Sequence, residues 1–417
     1  MGTIDSWIPD WTGRLPDLEV VPIPDEAKDE FIFHVFAAMR EFFDYGYSSN
    51  TRTDVALGSF EEFKLNTSHG RELPRLWVIN LSGALLLSLA GKEQQTEEDI
   101  DAWRQAIVSG ISRMGSRDDF TWTAILSQKQ SNPYRLDGQR LSKSSTTGTL
   151  NFNLLGPCIS EDSPVAMPGS GIVATEYVHW PIKICGSTPC YSWDGDGDTL
   201  TLQRLRRIAG ILSLWWDNPW TIREGPRSPE IQHGAGRDAL MGKGWRPVTD
   251  NELSNTGRPI SIPEWLETVE RRVSDSNRLT AAILIHHEGL QLTRDHSSMA
   301  LVCFIAAIEA TAQVNKKPTR CPKCKMVTGS TQRFKEAVQS VLGDERAATL
   351  SDAYSKRSLT VHQGRLHGTE LRANSFGGMS LFMPDSLFNF TAATVKTAQE
   401  ASRLLLLKKI GVTDPSA

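Results

Sequence analysis

Two scarcities set the first bounds. Cysteine is rare, six in 417 residues, so no disulfide framework organises the chain. Long apolar runs are missing too. The most hydrophobic stretch, 76–90, is interrupted by Asn80, Ser82 and Ser88 and falls short of the ~20 residues that cross a bilayer. It reads as a buried core helix, and no membrane partner is expected. The opening Met1-Gly-Thr-Ile-Asp-Ser-Trp lacks the basic and apolar segments of a secretory leader. A cytoplasmic location with reduced thiols is the expectation. Nor is either sign of charge in large excess: 45 Lys and Arg stand against 49 Asp and Glu, a formal charge of -4. That excludes a protein coating nucleic acid over its whole surface and restricts any such site to a local patch. There is no phosphate loop, no Gly-x-Ser-x-Gly elbow, no dinucleotide fingerprint and no internal repeat.

What remains is a folded chain, 39% hydrophobic and 23% charged, long enough for two or three domains. After a Pro-rich start, apolar Phe31, Val35 and Ala38 predict a helix that opens at Asp25 and ends near Gly46. Helices are also expected over 73–89 and 96–114. In the second, Thr96 is the N-cap, with Glu97, Glu98 and Asp99 at the positive end of the dipole. From Arg117 to Trp193 the residues turn to Thr, Ser, Gly, Pro and β-branched types, with strands predicted at 147–155 and 171–185. A helix follows over 199–216, ended by Asp217-Asn218-Pro219. Beyond Ile262 the pattern is helical: 263–274, 277–291, 297–314, 331–342, 345–361 and 384–409, the last closing at Gly411. Leu301, Phe304, Ile305 and Ile308 form one stripe of the third. The expected class is α+β. A mixed helical and β-containing recognition or sensor module spans 1–220, β-rich at about 117–195. A linker or long connection covers 221–261, and an all-α helical bundle covers 262–412.

The segment richest in chemistry is Tyr354-Ser-Lys356-Arg357-Ser358-Leu-Thr-Val-His362-Gln-Gly364. An imidazole moves protons near neutral pH, and a guanidinium offsets charge developing on phosphorane oxygens. Together they suit cleavage of an RNA phosphodiester without a metal. The surroundings are basic. Between Val314 and Ala373 lie Lys316, Lys317, Arg320, Lys323, Lys325, Arg333, Lys335, Arg346, Lys356, Arg357, Arg365 and Arg372, with only Glu336, Asp344, Glu345, Asp352 and Glu370 opposing them. Lys356 and Arg365 are the candidate RNA-binding residues. The ordinary reading is a solvated basic face, with Arg357 paired to Glu309 and His362 at a helix end. Geometry narrows the choice. Residues five apart are separated by roughly 140° around a helix, so Arg357 and His362 cannot share one face of a straight helix, whereas Ser358 and His362 can. A joint site needs a helix end near Val361 or a second copy of the chain.

With Phe304-Ile-Ala-Ala-Ile308-Glu309 upstream and a closing helix downstream, Tyr354-x-x-Arg357-Ser358-x-x-x-His362 resembles the HEPN superfamily, in its Apea-like branch, over roughly 263–410. The resemblance implies an all-α HEPN-like bundle that forms a homodimer, with Arg/His pairs of both copies lining one cleft. It implies metal-independent endoribonuclease activity in anti-phage defence or a toxin system. Carried over by position, Arg357 and His362 are catalytic, and Glu309, Tyr354 and Ser358 are supporting. The chain departs from the family in one respect: Gln363 stands between His362 and the glycine that often follows it. The alternative is a catalytically inactive HEPN bundle serving as an interaction or nucleotide-binding module. RNA is the expected partner, together with an unknown trigger or ligand at the N-terminal module. No cofactor is required for this catalysis.

Other constellations are weaker. Cys321-Pro-Lys-Cys324 has the spacing of half a structural zinc site. Cys185, Cys190 and His179 could complete it only through a domain contact, and a symmetric partner could supply a second pair; an unligated thiol pair is the simpler reading. Asp194-Gly-Asp196-Gly-Asp198 resembles the opening of a calcium loop, but Thr199 stands where glycine is needed and Leu205 where glutamate is, so a turn into the next helix is expected. His286, His287 and His296 are read as packing or solvent-exposed residues, and His367 as a turn residue. Trp180, Trp193, Trp215, Trp216, Trp220 and Trp245 are read as core.

Overall fold

The computed structural model describes residues 19–54, 58–81, 84–90, 96–128, 139–155, 158–161, 165–167, 171–173, 176–228, 245–247, 258–293, 295–313, 330–350, 352–368 and 390–413. By contact the chain forms two compact units. One comprises Met1–Asp119 and Pro189–Gly197, the other Phe120–Thr188 and Asp198–Ala417.

The first unit is an antiparallel sheet covered by two helices. Its elements are β1 (Glu19–Val21), α1 (Lys28–Met39), β2 (Tyr45–Asp54), β3 (Gly58–Thr67), β4 (Arg75–Leu81), β5 (Ala84–Ala90) and α2 (Glu97–Arg113), with strand order β1-β5-β4-β3-β2. Phe63 and Leu65 of β3, Leu76 and Val78 of β4, and Leu85, Leu87 and Leu89 of β5 alternate onto one face. There they bury Phe31, Val35 and Met39 of α1 and Trp103, Ala106 and Ile107 of α2. The helix expected over 73–89 is therefore a β-hairpin, β4 pairing with β5 from Arg75↔Ala90 to Leu81↔Ala84. The cause is burial of both faces: Ile79, Leu86 and Ser88 on the opposite face are also buried, so the period-two signal disappears into a continuous apolar run. Helix α2 starts as expected. Thr96 Oγ1 accepts from Asp99 N, and Asp99 Oδ2 accepts from Thr96 N, each at 3.3 Å. That reciprocal box satisfies two donors that a helix start leaves open. Glu30 anchors the end of α2, accepting from Gly115 N at 2.7 Å and from Arg117 Nη1 at 2.6 Å.

The second unit contains most of β6 (Asp118–Gln128), then β7 (Gln139–Leu141), β8 (Ser145–Thr147), β9 (Leu150–Leu154), β10 (Cys158–Glu161), β11 (Val165–Met167), β12 (Gly171–Val173), β13 (Glu176–His179), most of β14 (Ile182–Cys190), α3 (Asp198–Trp216), β15 (Trp220–Arg227), β16 (Trp245–Pro247) and β17 (Arg258–Ile260). It continues with α4 (Leu266–Ser274), α5 (Asn277–Leu292), α6 (Ser297–Gln313), α7 (Ser330–Ala348), α8 (Ala353–Gln363) and α9 (Lys396–Ile410). The main sheet has the order β15-β6-β14-β9-β8. Strand β15 lies at the start of the stretch expected as a connection. It pairs antiparallel with β6, Trp220 opposite Gln128. The stretch 345–361 is not one helix: α7 runs on past Gly343 to Ala348, and turns follow at Thr349, Leu350 and Asp352 before α8. Buried Leu350 fixes that turn, its N–H donating to Ala347 O at 3.1 Å.

Sheet and helices of this unit meet at Glu267 on α4. It accepts from Thr149 N at 2.6 Å, Thr149 Oγ1 at 2.7 Å, Arg204 Nη2 at 3.0 Å and Arg271 Nη2 at 3.0 Å. Burial pushes this carboxyl up, but the Thr149 and Arg271 hydrogen bonds and the Arg204 charge outweigh it and hold the group below the ordinary carboxylate range. On α9, Arg403 donates to Leu214 O and Trp215 O at 2.9 and 3.0 Å, closing the carbonyl end of α3 with a cation. Helix α6 packs against α5, α7, α8 and α9. Its expected stripe of Leu301, Phe304, Ile305 and Ile308 is buried in their midst.

Gly148 has φ +58, and a Cβ there would overlap Glu267 Oε2. Gly148→Ala is expected to cost about 2 kcal/mol or more, through left-handed backbone strain and a displaced buried carboxylate, read as a lower urea midpoint. His286 and His287 are buried. Burial pushes His286 down to about 3, aided by the charges of His287, Arg403 and Lys396. Burial holds His287 at about 4, against a backbone hydrogen bond with Trp220 that raises it. The unfolded imidazoles bind protons near pH ~6.5, so the unfolded state gains protons first. Stability should be full above ~6.5 and fall as the pH drops toward these lowered values. Urea midpoints measured from about pH 7.5 to about pH 5 should show this decline, and His286→Gln should flatten it.

Candidate functional site

The Tyr354–Gly364 segment forms α8, from Ala353 to Gln363, closed by Gly364 in the left-handed conformation at φ 65 and ψ 17. Gly364 N donates to Thr360 O and Arg365 N to Leu359 O, so the last carbonyls are satisfied as a glycine-terminated helix requires. Thr360, nearly buried, pins this end: its hydroxyl lies 3.0 Å from Lys356 O and 2.9 Å from Arg365 O. Nothing in the sequence singled out Thr360. A hydroxyl two residues before His362 and four after Lys356 is a signal only once the helix is known to stop there.

The residues expected to act together separate into two groups. Tyr354 and Arg357 turn toward α6. Tyr354 Oη donates to Glu309 Oε1 at 3.0 Å, and Arg357 Nη2 lies 3.6 Å from Glu309 Oε2. The guanidinium also sits over the Tyr354 ring, 6.0 Å from its centroid. Arg357 is three-quarters buried and Glu309 more so, with side-chain exposures of 25% and 17%. The Nε of Arg357 is buried and has no hydrogen-bond acceptor among the described residues. Glu309 thus orients a guanidinium whose donors it does not exhaust. His362, in the last turn, is exposed. Ser358 is half-buried between the two.

The neighbouring cations divide the same way. Arg365 is exposed just beyond the cap, while the Lys356 ammonium sits 5.6 Å from the centroid of the Phe390 ring, a cation–π arrangement. His367 N donates to Ser298 Oγ at 2.7 Å, and its ring lies 5.7 Å from that of Phe390. Cys321 and Cys324, with the basic loop around them, lie outside the described residues. Among the described residues no three His, Cys, Asp or Glu side chains group as a metal site. Asp196, from the calcium-like segment, accepts instead from Tyr191 N and Ser192 N at 3.1 and 3.3 Å, and the segment winds directly into α3. His286 Nδ1 lies 2.9 Å from Ser402 Oγ in the core, a packing role.

Beside the Arg357 network, Tyr354 also lines a cavity of about 220 Å³ together with Phe334 and Val338 of α7 and Leu350 of the turn. Those residues carried no functional signal in the sequence, because they are ordinary core types whose grouping depends on the bend of α7. The chain matches no protein-family model, no curated protein and no solved structure.

The two halves of the motif should respond differently to substitution. Removing Glu309 takes away the half-buried carboxylate that Tyr354 Oη and Arg357 share, so Glu309→Ala should cost about 1–3 kcal/mol. His362→Ala, at an exposed position, should change stability by less than about 0.5 kcal/mol. Urea titration of both variants checks the contrast.

Proposed function

We propose that this chain is a metal-independent endoribonuclease in which Arg357 holds the scissile phosphate and His362 moves the proton. The observation that carries this reading is a guanidinium oriented by Glu309 and Tyr354, five residues ahead of an accessible imidazole at a capped helix end. His362 takes the proton of the ribose 2′-OH, and the 2′-oxygen attacks phosphorus. The P–O5′ bond breaks, and the leaving oxygen takes up a proton. The products are a 2′,3′-cyclic phosphate and a 5′-OH, so DNA is not a substrate. Arg357 offers paired N–H donors to the phosphorane oxygens, a geometry that lysine does not reproduce.

Because the two side chains diverge around α8, the working site is composed from two copies of the chain, the guanidinium of one beside the imidazole of the other. Lys356 and Arg365 supply further positive charge for the RNA backbone. The setting in phage defence or a toxin system rests on the HEPN resemblance alone. One observation favours the second reading, a catalytically inactive interaction or nucleotide-binding module: Glu309 already pairs with Arg357, as a purely structural arginine would require.

Purified protein incubated with RNA in EDTA separates the two. The nuclease reading expects fragments ending in cyclic phosphate, with His362→Ala slower by about 10²–10⁴-fold and Arg357→Lys also impaired. RNA binding without cleavage, or cleavage unaffected by both substitutions, would leave the module.

A further inference from the structure

Helix α7 bends at Gly343, which takes φ 75 and ψ 173. Residues on both sides of the bend, with the start of α8, line the cavity of about 220 Å³. An apolar cavity of ~150 Å³ holds one benzene ring, so this one has room for two fused rings. Its apolar lining includes Phe334, Val338 and Leu350, all buried, and its aromatic pair is Phe334 and Tyr354, ring centroids 5.5 Å apart at 54°. Its polar lining is Lys335, Gln339 and Asp344, all exposed. Flat rings are held well beside aromatic side chains. Among the RNA bases, guanine alone presents two adjacent donors, N1–H and N2–H, that match the two oxygens of one carboxylate.

We propose that this cavity binds a guanine base, with Asp344 accepting from N1–H and N2–H, Gln339 donating to the O6/N7 edge and Lys335 serving the attached phosphate. Tyr354 joins the base site to the motif: it lines the cavity, and its hydroxyl donates to the carboxylate that pairs with Arg357. The inference rests on the RNA reading for the source of the base, whereas the base site itself is tested by binding alone.

The test is titration calorimetry of the full chain in EDTA with GMP, AMP, CMP and UMP, and with 2′-O-methyl RNA tetranucleotides that have or lack one guanine. GMP should bind saturably, with AMP at least about tenfold weaker. Asp344→Asn, at an exposed position, should erase the preference, and Ala348→Trp, at the rim, should abolish GMP binding while the circular-dichroism melt is retained. A guanine tetranucleotide binding more tightly than GMP identifies RNA as the source; equal affinity identifies the free nucleotide. Absence of GMP binding, equal affinity for AMP and GMP, or a preference intact in Asp344→Asn would overturn the proposal. Guanine binding in a protein that fails to cut RNA removes the nuclease reading alone, and RNA cutting without guanine binding removes the base site alone.

Discussion

The second unit depends on one buried carboxylate. Glu267 gathers the β8–β9 turn through Thr149, helix α3 through Arg204, and its own helix through Arg271. Glu270, one turn further along α4, does the same for Arg207 at 2.8 Å. A charge taken this far from water is tolerated only when its lone pairs are filled, and here four donors fill them. The arrangement gives no freedom to the backbone beside it, which is why Gly148 at that turn has room for no side chain. Through this contact the five-stranded sheet and the C-terminal helices share one compact unit.

The same rule, that a buried charge must be satisfied, shapes the candidate site on a smaller scale. Glu309 stands on α6, the helix that touches α5, α7, α8 and α9, and reaches toward α8 for Tyr354 and Arg357. It fixes the guanidinium direction without covering it. His362 is placed by a different constraint, the helix end made by Gly364 and Thr360. Two independent devices therefore set the two halves of the motif, and the 140° between them around the helix follows from its regularity. The residue between His362 and Gly364 has a plain structural meaning: the helix extends through Gln363, and the glycine cap follows immediately.

Legibility followed the reach of the interactions. The N-cap at Thr96 was readable because its signal, the hydroxyl with Glu97, Glu98 and Asp99 behind it, lies within four residues. The stripe of Leu301, Phe304, Ile305 and Ile308 was readable because a helix buried on one face repeats its pattern locally. The β4–β5 hairpin was not, since burial on both faces removes the alternation that marks a strand. Strands β2 and β3 were also missed. Tyr45 to Asp54 is a run of polar residues, and it is a strand because of a ten-residue register with β3, from Tyr45↔Thr67 to Asp54↔Gly58. The break between α7 and α8 was hidden because no proline marks it; burial of Leu350 does the work.

The sequence by itself determined where helices begin and end when their signals are local: the N-cap at Thr96, the glycines at 364 and 411, the apolar stripe of α6. It also determined that Arg357 and His362 cannot face the same way on one helix, a consequence of 3.6 residues per turn. Only the tertiary structure decided that Glu309 receives both Tyr354 and Arg357, that Glu267 binds a turn more than a hundred residues away in sequence, and that the bend at Gly343 opens a cavity against Tyr354. Those are contacts between segments distant along the chain, and which buried charge or ring meets which partner is settled by the packing that removes them from water.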